Sequence, residues 1–364
     1  MTAAPASAAI GAPRIALIAV VVAGAALTAA LHFGGAPDLA VVLVGAVSLG
    51  GLAGIVSFAR EAIGERFGPA VTGVLQSTLG NLPELFVVLF ALSAGEIVVA
   101  QTSILGSLFA NALLVLGMTL VVGARRAPDG VMRFGSRLPN DTATLLLLAV
   151  FIIVILGVSD QIGDRASRHA EAISIVGAIV LLVVYAVWLI SYLRGGGERQ
   201  EPAPEEPSAG RSRLGLAPAV ALLTVAAVGA ALVSDYFVDS IDGTAEDLGL
   251  SRAFIGLVII AIAGNAVEHV VGVVLAAKGK SELAVSVVKN SVAQIAAFLF
   301  PALVLLSLFF DPSLTFVTSP VYVGALALTA IAVWQITGDG AALEFEGYAL
   351  IGLYAVLATL AFYE

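Results

Sequence analysis

Gly80-Asn81-Leu82-Pro83-Glu84 and Gly264-Asn265-Ala266-Val267-Glu268 decide the reading of this sequence. Both pentapeptides sit inside long apolar runs. A carboxylate within a lipid bilayer is costly, so an intramembrane glutamate is a functional-site hypothesis by default. Two of them, each behind a helix-loosening Gly-Asn, point to a cation site.

That the runs are membrane spans follows from composition. The 364 residues are 60% hydrophobic and only 12% charged, with a mean hydropathy of +1.05. Soluble domains do not reach this balance. Runs of about 20 apolar residues are long enough to cross a bilayer as helices. There is no cysteine, so thiolate metal sites, disulfides and Cys nucleophiles are excluded. His32, His169 and His269 are not spaced as a zinc site.

Working outward from the two motifs gives eleven spans. Residues 1–14 read as an Ala/Pro-rich tail, and 15–33 as a retained first helix rather than a cleaved signal. Spans follow at roughly 38–58, 69–93, 97–123, 142–159 and 170–193. A Gly-, Pro- and Glu-rich stretch, 194–213, reads as a solvated linker. Five more spans lie at roughly 214–234, 250–277, 282–310, 316–336 and 345–363. Thirteen of the seventeen basic residues then fall on the face of the N-terminus and linker, among them Arg14, Arg60, Arg125, Arg126, Arg211 and Lys278. Only Arg165, Arg168 and Arg252 fall on the other, and Lys289 falls within a span. By the positive-inside rule the N-terminus is cytoplasmic and the C-terminus outside, in a multi-pass protein of the cell (inner) membrane. The outer face has Asp235, Asp239, Asp242, Glu246 and Asp247 in one loop. That loop reads as solvated, or as a concentrator of cations near an entrance.

The motif is one part of a duplication. Asn81, Glu84 and Ser107 recur as Asn265, Glu268 and Ser291 at a constant offset of 184 residues. The third span starts on the cytoplasmic face and the eighth on the outer face, so the copies are inverted. The expected fold is therefore all-α integral membrane, with two inverted five-helix repeats. Spans 2–6 (residues 38–193) and 7–11 (214–364) form the repeats, and the first helix is extra. Inverted repeats with broken helices meeting at the midplane are a secondary-transporter signature.

The residue types suit a hard cation, which takes oxygen ligands. Glu84 and Glu268 supply charge. Asn81, Asn265, Ser107 and Ser291 supply neutral oxygens. Gly80, Gly264 and Pro83 loosen the ladder, and Pro83 cannot donate to the carbonyl of Leu79. Asn81 with Glu84, and Ser291 with Gln294, are i, i+3 neighbours; Ser107 and Asn111 are i, i+4. Small polar residues also serve simply to bind helices together, but that role does not need carboxylates. Two carboxylates facing each other in low dielectric cannot both stay charged with nothing between them. One divalent ion or two protons would neutralise them, which couples the two loads.

These residues resemble the calcium/proton exchanger (CAX-type) family of the calcium–cation antiporter superfamily. The likeness covers spans 2 through 9, about three-quarters of the chain. It rests on Gly80 to Glu84, on Gly95-Glu96 through Gly106-Ser107, and on Gly264-Asn265-Ala266-Val267-Glu268-His269 with Gln294-Ile295. The resemblance implies export of Ca2+ against entering H+ by alternating access. Glu84 and Glu268 map onto the ion-binding pair, and Asn81, Asn265, Ser107, Ser291, Gln101 and Gln294 onto its supporting positions. Glu61 resembles an acidic position of the family at the end of the second span. No resident cofactor and no nucleic-acid partner is expected; the partners are calcium ion, protons and the bilayer, and a homo-oligomer stays open.

Val288-Lys289-Asn290-Ser291 departs from the family, which carries glycine before that serine. Lys289 is expected to snorkel to the cytoplasmic interface; the alternative brings its ammonium to the glutamates, and selectivity for Ca2+ over Na+ or K+ turns on it. His269 is placed either to pack or to tune the proton response, its free imidazole titrating near 6.5. The competing functions are a Na+ or K+/H+ antiporter, a Na+-driven Ca2+ exchanger and a cation channel. An enzyme is not expected: no nucleophile with a base, no His-metal motif and no phosphate loop is present.

Overall fold

The computed structural model describes residues 12–67, 81–195 and 214–364. The N-terminal tail as far as residue 11, the linker residues 196–213 and the stretch 68–80, including Gly80, lie outside the described residues. So does the side chain of Glu61.

The apolar runs are helices. In chain order they are α1 (Ala12–Phe33), α2 (Asp38–Phe67), α3 (Leu82–Ser93), α4 (Ile97–Arg126), α5 (Arg137–Ile162) and α6 (Ala170–Gly195). After the linker come α7 (Leu216–Asp239), α8 (Ile241–Leu248), α9 (Arg252–Gly264), α10 (Ala266–Ala277), α11 (Ser281–Phe309), α12 (Pro320–Thr337) and α13 (Glu344–Tyr363). A short antiparallel ribbon, β1 (Val131–Arg133) with β2 (Ala341–Leu343), ties the turn after α4 to the turn before α13. Beside it Arg125 bridges to Glu344 at 2.7 Å and donates to the Tyr348 hydroxyl.

Among the described residues nine helices are long and apolar enough to cross a bilayer, or ten if α8 and α9, bent by 119°, count as one. Helices α3 and α10 are shorter. The expected acidic outer loop is instead helical: Asp235 and Asp239 end α7, and Asp242, Glu246 and Asp247 lie on α8.

Helices α3 and α10 are copies of one another. Each has 12 residues, and their bounds differ by 184 at both ends. Asn81 (φ −104°) and Asn265 (φ −97°) occupy their N-caps. Each helix then ends at a left-handed glycine, Gly95 or Gly279, whose positive φ only glycine adopts without strain. The next residues, Glu96 and Lys280, cap α4 and α11. Both of those helices contain one π-helical turn, Ala110–Val115 and Ile295–Leu299. Pro83 falls in the first turn of α3, where its missing N–H would be unpaired anyway.

Lipid is as apolar as leucine, so burial alone does not hold membrane helices together; close backbone packing does. α4 is the most enclosed span. It crosses α9 glycine to backbone. A Cβ on Gly106 would lie 2.4 Å from the Leu257 carbonyl oxygen, and one on Gly256 would lie 2.0 Å from Thr102 Oγ1. Gly117 and Gly347 make a like contact between α4 and α13. By contrast α1, α6 and α7 bury less than a third of their residues, as lipid-facing helices do.

Candidate cation site

The glycine crossing of α4 and α9 sets the site, because it carries Ser107 and Asn111 up to the break between α9 and α10. There Asn265 Nδ2 donates to Ser107 Oγ (2.9 Å) and to the Ala261 carbonyl (3.0 Å). Asn111 Nδ2 donates to Asn265 Oδ1 (3.2 Å) and to the Ser107 carbonyl (3.0 Å). The polar face of the first copy is thus hydrogen-bonded to the motif of the second.

Glu84 lies in the first turn of α3 and is 4% exposed. Its side chain rests on Gly264: a Cβ there would meet Glu84 Cγ and Oε1 at 3.0 Å. The glycine of the second copy makes room for the carboxylate of the first. Glu84 Oε2 and Asn81 Nδ2 are buried with no hydrogen-bond partner among the described residues. Glu268, in the first turn of α10, is partly exposed and accepts a hydrogen bond from the Ser291 hydroxyl. The two glutamates lie within reach of each other's charge. Neither is in an ion pair among the described residues.

A helix start attracts negative charge through its free N–H groups, and both carboxylates sit at one. The cluster can therefore hold anionic oxygen close to hydroxyl and amide oxygens in a buried setting, the donor set of a hard cation. Among the described residues no group of three or more His, Asp or Glu could hold a metal. Among the described residues the negative charge at this place is that of the two glutamates.

The remaining expected residues divide. Gln294 is buried on α11 and His269 on α10, with His269 Nε2 unpartnered. Gln101 does not join the cluster; it donates to the carbonyls of Val317 (2.8 Å) and Thr315 (3.5 Å) and so holds the extended segment before α12. Lys289 does not snorkel. It is 1% exposed, and its ammonium donates to Thr337 Oγ1 at 3.2 Å. That face of α11 is turned inward, so the stem is enclosed by neighbouring helices and ends at the last residue of α12. Nor does it pair with a carboxylate among the described residues. Asn290 Oδ1 is buried without a partner.

Arg60 is the residue that pattern reading missed. It appears in sequence as one of many basic residues flanking a span. In the fold it is 9% exposed on α2, and its charge acts on Glu268. Its position inside the last turns of an apolar helix was the available signal. At the end of the molecule opposite Arg125, Glu96 and Arg252 face each other at 3.4 Å, and Arg252 also holds Asp242 at 2.8 Å. Burial and the nearby Asp242 charge raise the Glu96 carboxyl above the ordinary glutamate range, against the pull of Arg252.

Comparison with known proteins places this arrangement. The model of the sodium/calcium exchanger protein family matches residues 38–193 and 218–363. A vacuolar calcium ion transporter of Schizosaccharomyces pombe is 33% identical over 86% of this chain and 76% of its own length. A Ca2+/H+ antiporter of Aphanothece halophytica is 30% identical over 90% of this chain and 91% of its own. The solved structure of native YfkE superimposes with a TM-score of 0.79 at 27% identity, covering 96% of this chain and 100% of that one. The chain belongs to the sodium/calcium exchanger protein family, on its Ca2+/H+ antiporter (CAX) branch, and is a membrane transporter, not an enzyme.

Proposed function

We propose that this protein exchanges Ca2+ for H+ across the membrane by alternating access, with Glu84 and Glu268 as the shared binding pair. The observation that carries the reading is the Glu84 carboxylate, buried against Gly264 of the other copy with one oxygen unpartnered. A buried charge without a partner is strongly unfavourable, so this oxygen suits a passing cation or proton. Asn81, Asn265, Ser107 and Ser291 add neutral oxygens, and water completes the six to eight ligands that Ca2+ prefers. One Ca2+ between the glutamates, or protons on them, gives a load that can cross. The empty pair, doubly charged, is held back, which makes the exchange obligatory.

The eleven-span architecture belongs to the same proposal. Among the described residues nine helices are long enough to cross, and we take the short helix α3 and the consecutive short helices α9 and α10 to mark the two further spans. The matched bounds of α3 and α10, in spans of opposite direction, support two inverted halves. The basic residues favour a cytoplasmic N-terminus and an outward C-terminus, in the cell membrane.

The test is proton movement in everted vesicles with an acid interior. Added Ca2+ is expected to dissipate the pH gradient without added Na+. A response to Na+ or K+ alone would replace Ca2+ as the substrate, and a requirement for Na+ would replace the proton as the driving ion.

A further inference from the structure

Helices α12 and α13 are both long enough to span the bilayer, and they lean on different partners. Val323 of α12 packs on α5, where a Cβ on Gly157 would lie 2.4 Å from its Cγ2. Gly347 of α13 packs on Gly117 of α4. Between their ends opposite Arg125 the two helices leave a groove of about 670 Å3. It is lined chiefly by Val321 of α12 and by Ala355, Val356, Leu360 and Tyr363 of α13, and it ends at Glu364. The other side of the same turn of α13 is covered by α9: Ser251 Oγ donates to the Ala361 carbonyl, and Phe362 packs edge-on against Phe254.

Three observations say what fills the groove. Its walls are apolar, and Val321 and Val356 are exposed within spans, so it opens on the hydrocarbon of the bilayer. Its lining on α13 is confined to one half of that helix. From Ala355 to Glu364 is about 14 Å at 1.5 Å per residue, close to half of a hydrocarbon core about 30 Å thick. A helix of a second copy would run the whole thickness, whereas an acyl chain occupies one leaflet. The polar end carries a fixed acceptor. Tyr322, 2% exposed, donates its hydroxyl to Glu364 Oε2 and holds that carboxylate beside Tyr363, an aromatic residue of the kind that marks the headgroup level. No basic residue lines the groove among the described residues, and Arg252 at the start of α9 is engaged by Glu96 and Asp242. An anionic headgroup would meet like charge there. A primary ammonium would bring N–H donors to a carboxylate, a charge-assisted hydrogen bond.

We propose that this groove binds a phospholipid with a primary-amine headgroup, phosphatidylethanolamine, with an acyl chain along α13 and the ammonium at Glu364. The site is separate from the glutamate pair and does not depend on the transport reading. Native mass spectrometry of the delipidated protein reads bound lipid and the number of copies together. The probes are phosphatidylethanolamine, phosphatidylcholine and phosphatidylglycerol with identical acyl chains. Phosphatidylethanolamine is expected to bind about threefold more tightly than phosphatidylcholine, whose ammonium has no N–H, and about tenfold more tightly than phosphatidylglycerol. Glu364→Gln is expected to bring the three within about twofold of one another. Ala355 is exposed, so Ala355→Trp leaves the packed core alone; by filling the groove it is expected to weaken phosphatidylethanolamine binding about fivefold or more. Equal binding of the three lipids by the parent, or tightest binding of phosphatidylglycerol, would overturn the proposal. So would a Glu364→Gln protein that keeps the parent's preference, or an Ala355→Trp protein that binds phosphatidylethanolamine as the parent does. Loss of an oligomer in Ala355→Trp with lipid binding unchanged would assign the groove to a second copy instead.

Discussion

The two copies of the motif share a backbone and differ in wiring. Asn81 and Asn265 start helices of equal length with similar dihedral angles, yet Asn265 is tied to Ser107, Asn111 and Ala261 while Asn81 Nδ2 has no partner among the described residues. Glu268 is met by Ser291 and feels Arg60; Glu84 is more deeply buried with an oxygen left over. At the motif itself the second copy is the more fully hydrogen-bonded, while Glu84 Oε2 and Asn81 Nδ2 of the first have no partner among the described residues. Duplication fixes where the carboxylates go, and divergence sets how each is hydrogen-bonded.

The largest expected effect tests the pair itself. Glu84→Gln and Glu268→Gln should each abolish Ca2+-driven proton exchange, a loss of about 100-fold or more, since with one carboxylate left the Ca2+-loaded site carries a net positive charge in a buried setting. The two should differ without Ca2+. Glu84→Gln removes an unpartnered buried carboxylate and should raise the melting temperature measured by scanning fluorimetry. Glu268→Gln trades away a satisfied one and should raise it less. Equal shifts would dissolve the distinction between the copies.

Next in size is the scaffold. Asn265→Ala strips three hydrogen bonds from a buried junction and should destabilise the protein by about 2–4 kcal/mol. Asn81→Ala, whose Nδ2 has no partner among the described residues, should stay within about 1 kcal/mol of the parent while impairing exchange. Chemical unfolding in detergent separates stability from transport.

Much of this was legible from residue order. The 184-residue offset located both helix starts, at Leu82 and Ala266, because Gly-Asn cannot be a strong helix interior and a carboxylate in lipid needs a reason. The cross-links between copies were not legible: which helix meets Asn265 depends on Gly106 and Gly256 letting α4 and α9 touch, a tertiary contact with no local signature. Lys289 shows the same limit. Its distance along the helix allowed snorkelling, but only the tertiary structure reveals that the side chain is enclosed and reaches Thr337. Lys289→Met should accordingly stabilise the protein, by about 1–3 kcal/mol, because a buried amine with one neutral partner is replaced by a side chain of similar length. A snorkelling lysine would give no gain.

The smallest effect contrasts the capping residues of the two copies, Glu96 and Lys280, which share a backbone but have opposite charge. Glu96 has its carboxyl raised by burial and Asp242. The folded state therefore favours its protonated form. Its charge counts against stability above the raised value, and that penalty is relieved as the pH falls toward the ordinary glutamate value near 4.3. Asp129 and Asp164 run the other way, because hydrogen bonds from Arg133 and Ser159 hold their carboxyls low. Their contribution is present above the ordinary aspartate range and lost on acidification through the lowered values. Whole-protein pH curves mix these terms, so the informative quantity is the difference between parent and Glu96→Gln. That difference should favour the variant near neutrality, by about 1 kcal/mol or less for so exposed a cluster, and should shrink as the pH is lowered. Arg252→Gln should widen it, since the guanidinium pulling Glu96 toward its charged form is then gone. A Glu96→Gln difference that is flat with pH would mean that Arg252 already balances burial and Asp242 at this end of the molecule.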